Sequence, residues 1–231
     1  SNNAPIAEDD AVSTDEDSVL NGDVLADNGN GLDSDPDLDP LTVSEVNGLA
    51  GNVGTQITLA SGALLTVNST GSFSYDPNGA FESLGDLGSD TDSFMYTISD
   101  GNGGSSSATV TVTITGINDP PVLAIIGNQS VVAGQTLNVN LSATDPENDA
   151  LTFSDSNLPS FATLTDNGNG TAVLGLSPGV GDVGNYPNVG ITVTDNGSPN
   201  QNDSESFTID VPASNNAPIA EDDAVSTDED S

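Results

Sequence analysis

Residues 1–18, SNNAPIAEDDAVSTDEDS, return without change as residues 214–231. Identity at a fixed distance marks a tandem array with a period of 213 residues, in which the last 18 residues begin a further copy. Any fold assigned to the chain must therefore close its cores within one period and pass directly into itself. An 18-residue copy is too short to bury a core. Residues 216–231 are accordingly expected to be the first strand of the next repeat, either disordered alone or paired with a neighbouring chain.

The period divides again. Asp35-Pro36-Asp37-Leu38-Asp39-Pro40-Leu41-Thr42 aligns with Asp145-Pro146-Glu147-Asn148-Asp149-Ala150-Leu151-Thr152. Ser99-Asp100-Gly101-Asn102 aligns with Thr194-Asp195-Asn196-Gly197, and Asn118-Asp119-Pro120-Pro121 with Asn215-Asn216-Ala217-Pro218. Three landmarks in the same order predict two related domains, 3–118 and 119–215, each of the roughly 100 residues usual for a β-sandwich.

Period-two alternation supplies the strands. Ala108, Val110, Val112 and Ile114 alternate with Thr109, Thr111, Thr113 and Thr115, as on a half-buried antiparallel strand. Phe94, Tyr96 and Ile98 form a second strand across the turn Asp100–Gly104. Phe73 and Tyr75, Leu137 to Leu141, and Val189 to Val193 repeat the pattern. Gly, Asn, Asp and Pro punctuate these runs and no helical period is sustained, so the fold class is all-β. The aromatic residues are read as core.

The chain has no Lys, Arg or His against 36 acidic residues, a formal charge of −36. With no cation to meet a phosphate, nucleic acid and anionic membrane surfaces are very poor partners, and metal cations are the natural ones. The acids are 28 Asp and 8 Glu, a bias that suits turns and compact oxygen cages more than a solvating surface. Without cysteine there are no disulfides and no thiolate chemistry, so another cross-link is expected to hold the domains.

Asp33, Asp35, Asp37 and Asp39 occupy alternate positions of one loop. An EF-hand does not fit, since its glycine position would be Leu38 and its last ligand Ser44. Calcium-binding nonapeptide repeats do not recur either.

The 213-residue unit resembles the cadherin-like, bacterial immunoglobulin-like repeats (VCBS-type and relatives) of giant secreted bacterial adhesins. The resemblance rests on Asn3-Ala4-Pro5, Thr14-Asp15-Glu16-Asp17, the Asp33 to Thr42 loop, Asp92 to Gly101 with the following Thr/Val strand, and Asn118-Asp119-Pro120-Pro121. It implies tandem Greek-key sandwiches in an elongated array, with calcium at each junction. The ligands there come from one domain's base, the linker and the top of the next domain. Carried onto this chain, the first domain's base offers Glu16 and a loop with Asp90 and Asp92, and the linker offers Asn118 and Asp119. The second domain's top offers Asp145, Glu147, Asp149 and Asp195. At the first domain's own top, Asn2 and Asn3 join Asp33, Asp35, Asp37, Asp39 and Asp100. After the second domain only Asp182, Asn215 and Asn216 are available, because the base turn reads Val132-Ala133-Gly134-Gln135, and fewer or weaker ions are expected there. Asp9, Asp10 and Asp166 are read as solvated acids or turn formers.

The leading functional expectation is a calcium-stabilised extracellular spacer, stalk or filament unit, partnered by identical repeats in its own chain and by like chains. The competing classes are a haloadapted acidic surface, a ligand-binding module and an enzyme. The ligand-binding class lacks an aromatic patch, with no Trp and three Tyr. The enzyme class has no His, Cys or Lys to serve as base or nucleophile.

Overall fold

A computed structural model describes residues 2–215. The expected first strand of the next repeat, 216–231, lies outside the described residues. The chain forms two compact units. The first runs from the start of the chain to Val122 and also takes Thr144–Leu151 and Thr194–Asp203. The second comprises Leu123–Ala143, Thr152–Val193 and the chain from Ser204 onward.

In the first unit, strands β1 (Asp10–Asp15), β3 (Thr42–Val46), β7 (Ser89–Ser99) and β8 (Ser105–Thr115) make a sheet of order β1-β8-β7-β3. Strands β2 (Leu20–Asp23), β4 (Ile57–Thr58), β5 (Leu64–Val67) and β6 (Ser72–Asp76) make a second, of order β2-β6-β5-β4. β7 and β8 are long because their Thr-rich faces tolerate water while the alternate residues are apolar. They pair rung by rung from Ser99↔Ser105 to Ser89↔Thr115. The inward faces meet in one core that joins Leu65, Phe73 and Tyr75 to Phe94, Tyr96, Ile98, Val110, Val112 and Ile114. Phe73 and Phe94 stand edge to face across it at 5.7 Å.

The second unit repeats the scheme. Its sheets run β10-β16-β15-β12 and β13-β14-β11-β9. The strands are β9 (Val122–Leu123), β10 (Gln129–Ser130), β11 (Leu137–Thr144), β12 (Thr152–Ser156), β13 (Ala162–Asp166), β14 (Thr171–Leu176), β15 (Gly184–Thr194) and β16 (Asn202–Val211). In each unit an early strand lies parallel to the last one, β1 on β8 and β10 on β16. This closure carries the start of each unit back to the edge of its longest hairpin.

Two sequence expectations need correction. Asp90 and Asp92 are not in a loop. The β7–β8 ladder continues through them, pairing Asp90 with Ile114 and Asp92 with Val112, because Ser and Thr can extend a strand without apolar residues on both faces. Asp10 is not solvated: it is 3% exposed, since period two turns it inward on β1 opposite Val110.

Where β8 ends it presses on the loop 81–88. Gly116 N–H donates to Gly88 O at 3.0 Å, and a Cβ at Gly116 would collide with the carbonyl oxygens of Leu84 and Gly85. Gly116→Ala is therefore expected to destabilise the protein by about 1–3 kcal/mol through overpacking, read as a lower urea midpoint. An unchanged midpoint would mean that the loop can move aside freely.

Candidate metal centre

Two loops of the first unit fold alike although they come from different halves of the sequence. Asp35 Oδ1 accepts from Asp37 N at 2.7 Å and from Asp39 N at 3.3 Å, and Leu38 N donates to Asp35 O at 3.0 Å. Asp145 Oδ1 accepts from Glu147 N at 3.1 Å and from Asp149 N at 2.9 Å, and Asn148 N donates to Asp145 O at 3.2 Å. Leu38 and Asn148 take the left-handed conformation, with φ of 64° and 63°. Such a turn aims the remaining carboxylate oxygens to one side.

A two-residue linker seats on each loop. Asn2 Nδ2 donates to Asp100 Oδ2 at 2.7 Å and Asn3 N to Asp37 Oδ2 at 2.6 Å. Asn118 Nδ2 donates to Asp195 Oδ2 at 3.2 Å and Asp119 N to Glu147 Oε1 at 3.2 Å. The other oxygen of each anchoring aspartate is held by backbone. Asp100 Oδ1 accepts from Asn102 N and Gly104 N at 2.7 and 2.9 Å, and Asp195 Oδ1 from Gly197 N and Gln201 N at 3.1 and 2.9 Å. The Asn2 hydrogen bond, helped by these backbone donors, holds the Asp100 carboxyl below the usual carboxylate range.

Around Asp119 the acids converge. Glu16, in the turn after β1, is 2% exposed, and its Oε1 accepts from Ile117 N at 2.7 Å. Carboxylate oxygens of Glu16, Asp119 and Glu147 lie within 4.8 Å of one another, as do those of Asp17, Glu82 and Asp119. Glu16 Oε2, Asp119 Oδ2, Asp145 Oδ2 and Glu147 Oε2 are buried and accept no hydrogen bond. Burial raises the Glu16 carboxyl, and it pushes Glu147 up to about 7, with the Asp119 charge adding to the rise. Glu82 is raised by burial and then by its hydrogen bond and charge contact with Asp119.

Buried carboxylate oxygens without donors are costly. In a chain with no cationic side chain the balancing charge is a proton or a metal. Crowded carboxylates with no nitrogen or sulfur ligand among them form a donor set for a hard cation, and calcium accepts six to eight such oxygens. The residues present fit that ion.

Comparison with known proteins places the chain. A profile described as bacterial cadherin-like domain matches residues 2–116. Residues 2–116 belong to the bacterial cadherin-like domain family. A search of curated proteins gives no match. Among solved structures, the PcdhgB3 EC1-4 fragment is similar at 16% identity and a TM-score of 0.60, over 92% of this chain and 50% of that one. Human CDH23 EC21-23 is similar at 20% identity and a TM-score of 0.53, over 91% of this chain and 69% of that one. Protocadherin Gamma B2 extracellular cadherin domains 1-5 follow at 16% identity and 0.52, over 91% and 39%. The chain thus spans about half the length of the first of these structures. At such identities these likenesses speak for the fold, a cadherin-like β-sandwich. Cadherin-like domains are adhesion-type extracellular repeats that typically bind calcium. Among the described residues no helix is long and apolar enough to cross a membrane.

Within this cadherin-like unit the expected ligands separate into groups. Glu16, Asn118, Asp119, Asp145, Glu147, Asp149 and Asp195 belong to the Asp119 neighbourhood, where Asp149 is raised by burial and then by the charges of Asp145, Asp195 and Asp86. Asn2, Asn3, Asp35, Asp37, Asp39 and Asp100 form the other linker-and-loop frame, and Asp35 Oδ2 is buried without a partner. Asp33 turns into the protein, where its oxygens accept from Glu8 N at 2.8 Å and Tyr96 OH at 3.0 Å. Asp92 accepts from Ser61 Oγ at 2.6 Å and Tyr75 OH at 3.0 Å, and Asp90 Oδ1 accepts from Thr91 N. Asp182 caps Gly179 N at 2.8 Å and stands in no acidic group among the described residues. Asn215 is exposed, and Asn216 lies outside the described residues. Sequence reading missed Asp17, Glu82 and Asp86. The available signal was that Glu82 and Asp86 lie in the loop entering β7, at the end of the hairpin where Glu16 caps the strand exit at Ile117.

Proposed function

We propose that the chain is a calcium-stabilised repeat of a long extracellular adhesin, with domains divided at residues 118/119, serving as a rigid spacer, stalk or filament unit. The observation that carries this reading is the set of buried, partnerless oxygens on Glu16, Asp119, Asp145 and Glu147 in a chain without a single cationic side chain. Glu16, Asp119 and Glu147 would hold the ion, with Glu82, Asp17 and Asp145 beside them. A bound calcium supplies the double positive charge and oxygen coordination that these groups lack. Glu16 ties the end of β1 to the strand exit at Ile117, Asp119 fixes the linker, and Glu147 fixes the loop that leads on into β12. When these carboxylates repel one another the linker flexes; when neutralised it stiffens. The partners are neighbouring repeats of the same chain and, in a filament, like chains. Secretion follows from the modest affinities that suffice at extracellular calcium levels.

Calorimetric titration of the full chain tests the site. Native protein is expected to bind calcium, and Asp119→Ala to lose at least about tenfold in affinity, because charge count sets the strength of such sites. Equal affinity in the two proteins would remove this assignment. The pH dependence has a fixed sign. Glu147, at about 7, holds a proton in part of the population near neutrality, and Glu16 and Glu82 are displaced in the same direction. Calcium must displace those protons. Affinity is therefore expected to weaken as pH falls from 8 to 6, with proton release seen as a buffer-dependent binding enthalpy. A pH-independent affinity would mean that these carboxylates are not the ligands.

A further inference from the structure

The two linkers share two anchoring hydrogen bonds and differ in the side chain that follows. Asn2 and Asn118 hold Asp100 and Asp195 in the same way, and the backbone N–H groups of Asn3 and Asp119 hold Asp37 and Glu147 in the same way. The side chains that follow are isosteric but opposite in character. Asp119 Oδ2 and Glu147 Oε2 are both buried and unpaired, and the two residues bring carboxylate oxygens within 4.8 Å of each other. Asn3 presents Nδ2–H to Asp37 Oδ1 at 3.1 Å. The amide orientation follows from the chemistry, since the reverse would set an amide oxygen against a carboxylate oxygen. Asn3 N and Nδ2 together clamp both oxygens of Asp37. That clamp does by hydrogen bonding what a cation would do at Asp119.

We infer that Asn3 is a built-in substitute for calcium at Asp37, so that the linker on the Asp35–Asp39 loop seats without metal, with Asp35 Oδ2 its one buried unpaired oxygen, while the linker on the Asp145–Asp149 loop, with four such oxygens around Asp119, requires it. The inference rests on the calcium reading of the Asp119 site and goes beyond it. Residues 1–18 recur at 214–231, so the same asparagine stands again, as Asn216, where the next period begins. The array then alternates metal-gated linkers with amide-pinned ones. A drop in calcium would loosen every second linker and leave two-domain segments joined by flexible linkers. The base turn Val132-Ala133-Gly134-Gln135, with no acid where the other half has Glu16, suits this division.

The test follows the backbone amide resonances of the full chain during a calcium titration from chelator, in the native protein and in Asn3→Asp. In native protein Glu147 and Asp149 are expected to shift saturably, while Asp37 and Asp39 stay in place over the same range. Asn3→Asp is expected to make Asp37 and Asp39 calcium-responsive, with an affinity gain of roughly tenfold or more from the added charge. In chelator, this variant should also melt below native, since two carboxylates then face each other with no donor between them. If Asp37 and Asp39 of native protein shift at the same calcium concentration as Glu147 and Asp149, the substitution role is overturned and the Asp119 site stands. If Glu147 and Asp149 do not respond, the calcium reading falls, and the response of Asn3→Asp then decides the role of Asn3 alone. A silent variant overturns it.

Discussion

Returning calcium to chelator-treated protein is expected to raise its melting temperature by roughly 5–10 °C. The size follows from mass action: at about 100 times the dissociation constant a ligand that binds only the folded state adds ~2.7 kcal/mol. For a chain of this length each kcal/mol shifts the midpoint by about 2–4 °C. The structural reason is local. Glu16, Asp119 and Glu147 present carboxylate oxygens within 4.8 Å of one another, and Glu16 is 2% exposed. Bringing these charges together opposes folding until a cation joins them. Glu16→Gln tests the cause. Its amide keeps the acceptor for Ile117 N and places donors beside Asp119 and Glu147. The variant should be more stable than native protein in chelator, by about 1.5–3 kcal/mol for a new buried hydrogen bond to a charged group. It should then gain less than half of the native increment when calcium is added. Matched NaCl in place of calcium should reproduce neither result, since screening acts on exposed charges far more than on buried ones. A native protein that responds to NaCl and calcium alike would be an acidic surface with no metal centre.

Asp10→Asn is expected to stabilise the protein at neutral pH by about 2 kcal/mol and to change nothing near pH 4. Asp10 is buried on β1, where Oδ1 accepts from Asn28 Nδ2 at 3.1 Å and Oδ2 has no partner. Desolvation is the main reason its carboxyl is pushed up to about 6, offset by the Asn28 hydrogen bond; the neighbouring charge of Asp33 adds to the rise, a Tyr96 hydrogen bond opposes it, and Asp9 contributes last. Asp33 is raised as well, first by burial, with Glu8 and Asp23 as the charged groups facing it. Tyr96 OH stands within 3.1 Å of Glu8 O, Val24 O and Asp33 Oδ2, so one phenolic proton serves several acceptors. The folded carboxyl binds its proton more tightly than the unfolded one, whose ordinary value is 3.8. Stability from this group is therefore complete below about pH 4 and lost as pH rises through 6. Full displacement corresponds to ~3 kcal/mol, and relaxation of the polar surroundings lowers the expected figure. The comparison is a pair of urea denaturation series from pH 4 to pH 8. Parallel curves at all pH values would mean that Asp10 ionises as freely in the fold as in the unfolded chain.

Much of this was legible in the residues. The alternation of Ala108, Val110, Val112 and Ile114 with threonine could only be a strand with one wet face, and β8 is that strand. The aligned Asp35–Asp39 and Asp145–Asp149 loops adopt the same turn, because a short run of carboxylates beside backbone N–H groups closes on itself whatever surrounds it. Local pattern failed where a second strand decided the outcome. Asp90 and Asp92 read as loop from composition, yet pairing with β8 drew them into β7. Asp10 read as a solvated acid and Asp33 as a metal ligand, yet each sits beside Tyr96, which arrives from 63 residues away in the case of Asp33.

Sequence by itself determined the all-β class, the 213-residue period, and a charge balance that leaves protons and metal ions as the only counterions for a buried acid. Those properties depend on neighbours along the chain or on composition, and both are present in a string of letters. The family resemblance put Glu16, Asp119 and Glu147 at one junction, and tertiary structure alone added Asp17 and Glu82. Glu16, Glu82, Asp119 and Glu147 come from four separate segments, and no spacing rule links them. It also decided that Asn3 donates to a carboxylate at the place where Asp119 leaves one unpaired, because the sign of a contact depends on the atom facing it across space.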